Sequence, residues 1–355
     1  MDIFYKKYFH HSGGGINVFP LGGNLSFSFY ALIFLSAFLL SSCSGSSKKV
    51  NEEYINERGM VWNTTFNITY QSSHNLGDSI RKVLDEVGHN LSVFDTTSLV
   101  SRVNRQDSTL VNTDFIRVYI MSRKINRLSG GLFDPTVSPL VTAWGFGPGH
   151  KATADTLRLD SLLRIVGIEK THLKYDSIIK DTPDIQFNFS AIAKGYGVDR
   201  VAEALKKEGV KNFLVEIGGE IRAAGKSPRG TGWNISVDRP IMNDSAVIHE
   251  SQLVIAFTNM GMATSGNYRN YKETKSGERY GHTISPLTGR PIKTDILSAT
   301  VLAPSSMEAD GLATAFMAMG REKTMELNRK LKLPILLVCS DTVWTSPQFE
   351  GLIVK

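Results

Sequence analysis

The stretch "IQFNFSAIAKGYGVDRVAEALKKEGVKNFLVEIGGEIRAAG" (185–225) decides the fold. It opens with apolar residues at every second position, Ile185, Phe187 and Phe189, and this alternation predicts a strand with one buried face. "KGYGVDRVAEALKKEG" (194–209) follows with helical spacing and a terminal glycine, the pattern of a helix and its stop. "NFLVEI" (212–217) and "IRAAG" (221–225) are two more strands, separated by the tight turn Gly218-Gly219-Glu220. A strand, a long helix and a hairpin in succession do not fit strict βαβ alternation. They predict an α+β fold of mixed, largely antiparallel sheets layered with helices.

The pattern extends to both sides. "FNITY" (66–70) alternates like a half-buried strand. Ile80, Val83, Leu84, Val87 and Leu91 recur at helical spacing and predict an amphipathic helix over 77–92. A second helix starts near Thr113, with Ile116, Tyr119, Ile120 and Leu128 apolar, and stops at Gly130-Gly131. "WGFGPGH" (144–150) is loop chemistry, and a third helix is expected over 155–166 with Gly167 as its C-cap. "WNISVDRP" (233–240), "LVIAFT" (253–258), "PILLVC" (334–339) and "GLIVK" (351–355) read as strands. "ILSATVLAP" (296–304) is another strand, leading into the apolar helix "EADGLATAFMAMG" (308–320).

At 355 residues the chain can bury a substantial core. Its formal charge of +6 is spread out, without a Lys/Arg block interleaved with aromatics, so nucleic acid is not the expected partner. The first 42 residues read as a signal peptide: Lys6 and Lys7 precede the apolar run "FSFYALIFLSAFLL" (27–40), which is short for a membrane span. Leu40-Ser41-Ser42-Cys43 resembles the lipobox of bacterial lipoproteins, in which the cysteine is lipidated. Residues 43–53 then form a lipidated cysteine with a flexible tether, and residues 54–355 the functional body. The only other cysteine is Cys339, so lipidation of Cys43 leaves no disulfide. The expected location is the bacterial cell envelope, lipid-anchored on the periplasmic side of the inner membrane.

Several common catalytic patterns are missing from the sequence: HExxH, paired CxxC, G-x-S-x-G and GxxxxGK[ST]. Four stretches remain. Lys194 stands where a strand gives way to a helix, where orphan N–H groups attract anions; on this segment alone a surface lysine at a cap is the stronger reading. Asp310 and Thr314 lie four apart, so a carboxylate and a hydroxyl share a helical face and could converge on a hard cation. The plainer alternative is a capping acid and a buried hydroxyl. "MATSGNYR" (262–269) places Thr264-Ser265-Gly266 at a corner able to face a phosphate, or to be only a turn. His282, before the Pro/Gly turn of "HTISPLTGRP" (282–291), could act as acid, base or donor, or be structural.

In their order these stretches resemble the ApbE family of FAD:protein FMN transferases. "NTTFNITY", "LSVFDTTSLVSRVN", "SGGLFDPTVSPLVTAWGFG", "SAIAKGYGVDRVAEAL", "LVEIGGEIRAAG", "MATSGNYR", "HTISPLTGRP" and "ADGLATA" are each similar to a family segment, and together they span roughly residues 60–320. The resemblance implies a T-fold-like architecture with FAD in a cleft, magnesium as cofactor, and transfer of the FMN half of FAD onto a client threonine with release of AMP. It places the metal on Asp310, Thr314 and the backbone oxygen of Ala191. Flavin contacts fall on Trp62, Phe94, Leu132, Phe133, Asp134, Asn188, Lys194 and Ile284, with His282 and Thr264-Ser265-Gly266 beside the dinucleotide. Asp310, Thr314, Lys194 and His282 are then the expected catalytic group.

This chain departs from the family at four of these positions: Asn63 stands for a glycine, Trp62 for a frequent methionine, Asn188 for an aspartate, and Ser285 for the aspartate of a His-x-x-Asp-Pro turn. The clients implied are exported FMN-binding subunits of sodium-pumping NADH:quinone oxidoreductase, Rnf-type complexes and related domains. Two alternatives stand beside transfer: a magnesium-dependent FAD pyrophosphatase yielding FMN and AMP, and a non-catalytic flavin-binding lipoprotein.

Overall fold

The computed structural model describes residues 52–146, 156–238, 251–266, 271–273, 279–281 and 283–354. In chain order the elements are β1 (Glu53–Val61), β2 (Thr64–Ser72), α1 (Gly77–Leu91), α2 (Leu99–Asn104), α3 (Thr113–Leu128), α4 (Ser138–Ala143) and α5 (Thr156–Arg164). There follow β3 (Thr171–Lys174), β4 (Ser177–Lys180), α6 (Ala193–Lys207), β5 (Phe213–Ile217), β6 (Glu220–Ala224), β7 (Trp233–Asp238), β8 (Ser251–Phe257) and β9 (Gly261–Gly266). The last are β10 (Tyr271–Glu273), β11 (Arg279–Gly281), β12 (Ile296–Ala303), α7 (Ser306–Met319), α8 (Arg321–Leu331), β13 (Ile335–Cys339), β14 (Val343–Thr345) and α9 (Pro347–Glu350). Eight strands form one antiparallel sheet in the order β1-β2-β5-β6-β9-β12-β13-β14; β3-β4, β7-β8 and β10-β11 pair separately. The α+β reading holds.

Period-two alternation sorts each central strand onto two buried faces. Phe213, Val215 and Ile217 of β5 pack with Ile80 and Leu84 of α1 and Val198, Val201 and Leu205 of α6. Ile335, Leu337 and Cys339 of β13 join Ala299 and Val301 of β12 and Leu312 and Phe316 of α7 in the largest core cluster. Leu336 and Val338 point the other way, onto Trp233, Ile235, Ile255 and Phe257 of the β7-β8 hairpin. The result is helices on one face, the sheet in the middle and a hairpin on the other. No helix among the described residues is long and apolar enough to cross a membrane.

Two expected strands take other forms. Residues 185–189 bury Ile185, Phe187 and Phe189 as the alternation requires, yet join no sheet. Their backbone is satisfied by a side chain instead: the Phe187 N–H donates to Asn104 Oδ1 at 2.7 Å, and Asn104 Nδ2 donates to the Phe187 carbonyl at 2.8 Å. An amide side chain thus does the work of a neighbouring strand. Near the C-terminus the helix α9 precedes Gly351, and Ile353 forms only an isolated bridge to Ile255. In α3 the buried residues include Phe115, Val118, Tyr119 and Ile125, whereas Ile120 is 56% exposed, so the apolar face is rotated from the expected one. Gly167, at φ 136°, begins a single 3-10 turn (Ile168–Lys170) after α5 rather than capping it.

Candidate active site

The β1-β2 hairpin closes at Val61 and Thr64, leaving a two-residue loop, Trp62-Asn63, with φ of 50° and 60°. Both residues are left-handed, the requirement of the hairpin turn that matches strand twist. Asparagine tolerates that conformation well, which explains how Asn63 replaces a glycine here. The turn lays the Trp62 indole against two helices at their glycines. A Cβ on Gly88 of α1 would lie 2.9 Å from the indole Nε1, and one on Gly197 of α6 would lie 2.2 Å from its ring. Beside the indole opens a cleft of about 240 Å³, lined among others by Leu91, Ser92, Phe94, Ser190 and Lys194. Phe94 is 65% exposed there, an unusual position for so large an apolar ring. Trp62, Phe94 and Lys194, expected to share a site, share this cleft.

Behind it lies a cluster of charge. Asp310 is not the cap of its own helix. Ser305 caps α7 by accepting from the Glu308 N–H at 3.1 Å, and Asp199 accepts from the N–H groups of Ser306 and Met307 at 3.0 and 2.8 Å. Asp310 instead caps α6 from outside, accepting the Gly195 N–H on Oδ2 at 3.0 Å. Gly195 is in the first turn of α6, where N–H groups have no partner within the helix. The two helices come this close only because residue 195 has no side chain: a Cβ would stand 2.3 Å from the Ser306 carbonyl oxygen and 2.7 Å from Asp310 Cβ. Lys194 is ion-paired to Glu220, which is buried at the start of β6. Glu220 Oε2 has no hydrogen-bond partner among the described residues.

Two acids face one lysine in this buried cluster. Burial pushes the Asp310 carboxyl up, with Lys194 and the Gly195 N–H opposing. Burial also raises Glu220; Lys194 pulls it back and Asp310 adds to the rise. Burial draws Lys194 down, but Asp310 and Glu220 more than reverse this, so its ammonium sits above the usual lysine value. One turn beyond Asp310, the Thr314 hydroxyl lies 3.5 Å from the Ala191 carbonyl oxygen. A carboxylate, a hydroxyl and a carbonyl are hard oxygen donors, the set that suits magnesium with water and phosphate completing its shell. No group of three or more His, Cys, Asp or Glu converges among the described residues.

The remaining expected residues, where described, do not line this cleft. Asp134 is buried with its oxygens engaged by the protein: Oδ1 accepts from the Thr136 N–H and hydroxyl at 2.8 and 2.6 Å, and Oδ2 from the Ile168 N–H at 2.8 Å. Burial raises its carboxyl despite these bonds. Phe133 is a core residue and Leu132 is half-buried beside it in sequence. Asn188 donates its N–H to the Pro135 carbonyl at 2.7 Å and accepts the Ser190 N–H on Oδ1 at 2.9 Å, a turn an aspartate would make equally well. Ser285 plays a similar part, accepting from the N–H groups of Leu287 and Thr288 at 3.3 and 3.2 Å. Ile284 is buried with Leu140, Leu159 and Val166. Thr264-Ser265-Gly266 ends β9, with the Thr264 hydroxyl 2.9 Å from that of Thr300 on β12. His282 and Cys43 lie outside the described residues.

Glu220 and Asp199 escaped the sequence reading. Glu220 is the third residue of a turn, and Asp199 sits in a helix; only the approach of α6 to β6 and α7 gives either a role.

This geometry has counterparts among known proteins. The ApbE family model matches residues 62–337. The FAD:protein FMN transferase of Vibrio cholerae serotype O1 (strain ATCC 39541 / Classical Ogawa 395 / O395) is 38% identical over 316 residues, 85% of this chain and 91% of the relative. That of Haemophilus influenzae is 36% identical over 321 residues, 85% and 90% respectively. Among solved structures, the flavin transferase ApbE from Vibrio cholerae superposes with a TM-score of 0.75 at 35% identity, covering 85% of this chain and 99% of its own. The apo flavinyl transferase ApbE of Pseudomonas stutzeri gives 0.75 at 27% identity, covering 86% and 99%. With the motifs, the sheet and the charged cleft in agreement, the chain belongs to the ApbE family.

Proposed function

We propose that this protein is an FAD:protein FMN transferase that moves the FMN half of FAD onto a threonine of an exported client, with magnesium as its cation. The observation that carries the proposal is Asp310: a buried acid fixed by the Gly195 N–H, next to Lys194 at the wall of an aromatic cleft. The curated relatives bear the name of that activity. Trp62 and Phe94 offer flat apolar faces for an isoalloxazine ring. The α6 N-terminus and Lys194 supply fixed positive potential for the pyrophosphate. Asp310, Thr314 and the Ala191 carbonyl would hold magnesium, which when bound supplies Lewis-acid neutralisation of the charge on the phosphate oxygens. In the transfer the client hydroxyl oxygen bonds to the phosphorus of the FMN half, the bond from that phosphorus to the bridging oxygen breaks, AMP departs with the bridging oxygen, and the hydroxyl proton passes to solvent. The nucleophile comes from the client, in keeping with the missing serine elbow.

We also propose that lipidated Cys43 tethers the enzyme to the envelope membrane beside clients of the NADH:quinone oxidoreductase or Rnf type. Confinement to one surface would raise their effective concentration. The test is incubation of protein, FAD, Mg²⁺ and a purified client domain, followed by mass spectrometry of the client threonine. An FMN adduct with equimolar AMP is expected. FMN and AMP without an adduct would mean pyrophosphatase, and bound but uncleaved FAD a binding protein.

A further inference from the structure

Glu220 is costly as a purely structural residue. Its side chain is 3% exposed, Oε1 takes Lys194, and Oε2 meets no donor among the described residues. A buried carboxylate with an unmet oxygen carries a desolvation penalty that a glutamine or an apolar residue would avoid. What Glu220 does achieve is to hold Lys194. That lysine lines the cleft, its neighbour Gly195 binds Asp310, and its ammonium feels the charge of Asp310 as well as that of Glu220. A free lysine would swing on a flexible four-carbon stem. We propose that Glu220 is a positioning residue of this centre: it pins the Lys194 ammonium at the boundary between the flavin cleft and Asp310. The Gly218-Gly219 turn, left-handed at both residues, brings the carboxylate to that place at the start of β6.

The proposal deepens the flavin-transfer reading, and its first test does not depend on it. The full chain and its E220Q variant are trace-acetylated, and modification of Lys194 is measured by mass spectrometry relative to Lys82, an exposed lysine on α1. Releasing the ammonium is expected to raise the Lys194 ratio about threefold or more; an unchanged ratio overturns the proposal. Should E220Q fail to fold, E220D is read in its place, with a smaller rise expected and no rise again overturning it. The second test is kinetic. E220Q is expected to lower kcat for FMN transfer about tenfold with little change in KM for FAD, and to add no further loss in a K194M background. An equal loss in both backgrounds would mean that Glu220 does not act through Lys194. If the parent protein transfers no flavin, the functional reading falls while the labelling still decides whether Glu220 holds the lysine.

Discussion

Gly195→Ala is a stringent test of the site, because the added methyl would meet backbone rather than a movable side chain. Its Cβ would lie 2.3 Å from the Ser306 carbonyl oxygen, and ordinary contact begins at 3.4 Å, so α6 and α7 must part by about 1.1 Å, the difference of the two. The Gly195 N–H···Asp310 bond, now 3.0 Å, would then stretch beyond hydrogen-bonding range. Overpacking costs about 1–3 kcal/mol and losing a hydrogen bond to a charged acceptor about 1.5–3 kcal/mol. Alanine returns about 1 kcal/mol of helix propensity. The net expectation is a loss of about 2–5 kcal/mol, or roughly 3–8 °C in melting temperature for a chain of this size. Calorimetry or dye-monitored melting reads the stability, and the rate of client flavinylation reads the site. Both should fall. A variant that melts at the parent temperature and keeps its rate would show that the two helices do not approach as described, and the account of Asp310 would fail with it.

Other consequences are as direct. Asp310→Ala should abolish the rise in melting temperature that Mg²⁺ gives the parent, and lower flavin transfer about a hundredfold to a thousandfold; an undiminished magnesium shift would place the cation elsewhere. Burial raises the carboxyl groups of Asp310, Glu220, Asp134 and Asp199, so the folded state binds protons more tightly than the unfolded chain. Their contribution is therefore present at acid pH and lost as pH rises through the raised values. Melting of the metal-free protein should fall between about pH 5 and about pH 8, with a shallower slope in E220Q; a rising curve would contradict the shifts. Asn104→Leu should cost about 2–5 kcal/mol by stranding the Phe187 N–H and carbonyl, measured by urea denaturation, and a loss under 1 kcal/mol would mean that water or another group replaces the amide.

Much of this architecture was legible in the chain because hydrophobic period and turn chemistry act locally. The helices α1 and α6, the β5-β6 hairpin and the helix carrying Asp310 follow from spacing and glycine placement alone. The failures share one cause. Alternation reports which side chains are buried, not what satisfies the backbone, so residues 185–189 read as a strand although Asn104, more than eighty positions earlier, is their partner. The i, i+4 spacing of Asp310 and Thr314 was visible, but that Asp310 caps a different helix depends on the absent Cβ of Gly195. Glu220 and Lys194 are separated by a helix and a strand in sequence, and no local pattern announces their contact. The departures at Asn63, Asn188 and Ser285 likewise lose their strangeness once the turns they sit in are seen.

The order of the large sheet has a consequence for biosynthesis. Its strands increase monotonically in number from one edge to the other, so none has to slot between two neighbours already joined. The sheet can lengthen at one advancing margin as the polypeptide emerges, with the helical excursions folding over it in turn. Asp310 arrives only after β12, when six of the eight strands have been laid down. A nascent chain halted before Ser306 would thus own most of its scaffold but none of the acid that defines its chemistry, and such fragments would be inert rather than wrongly active.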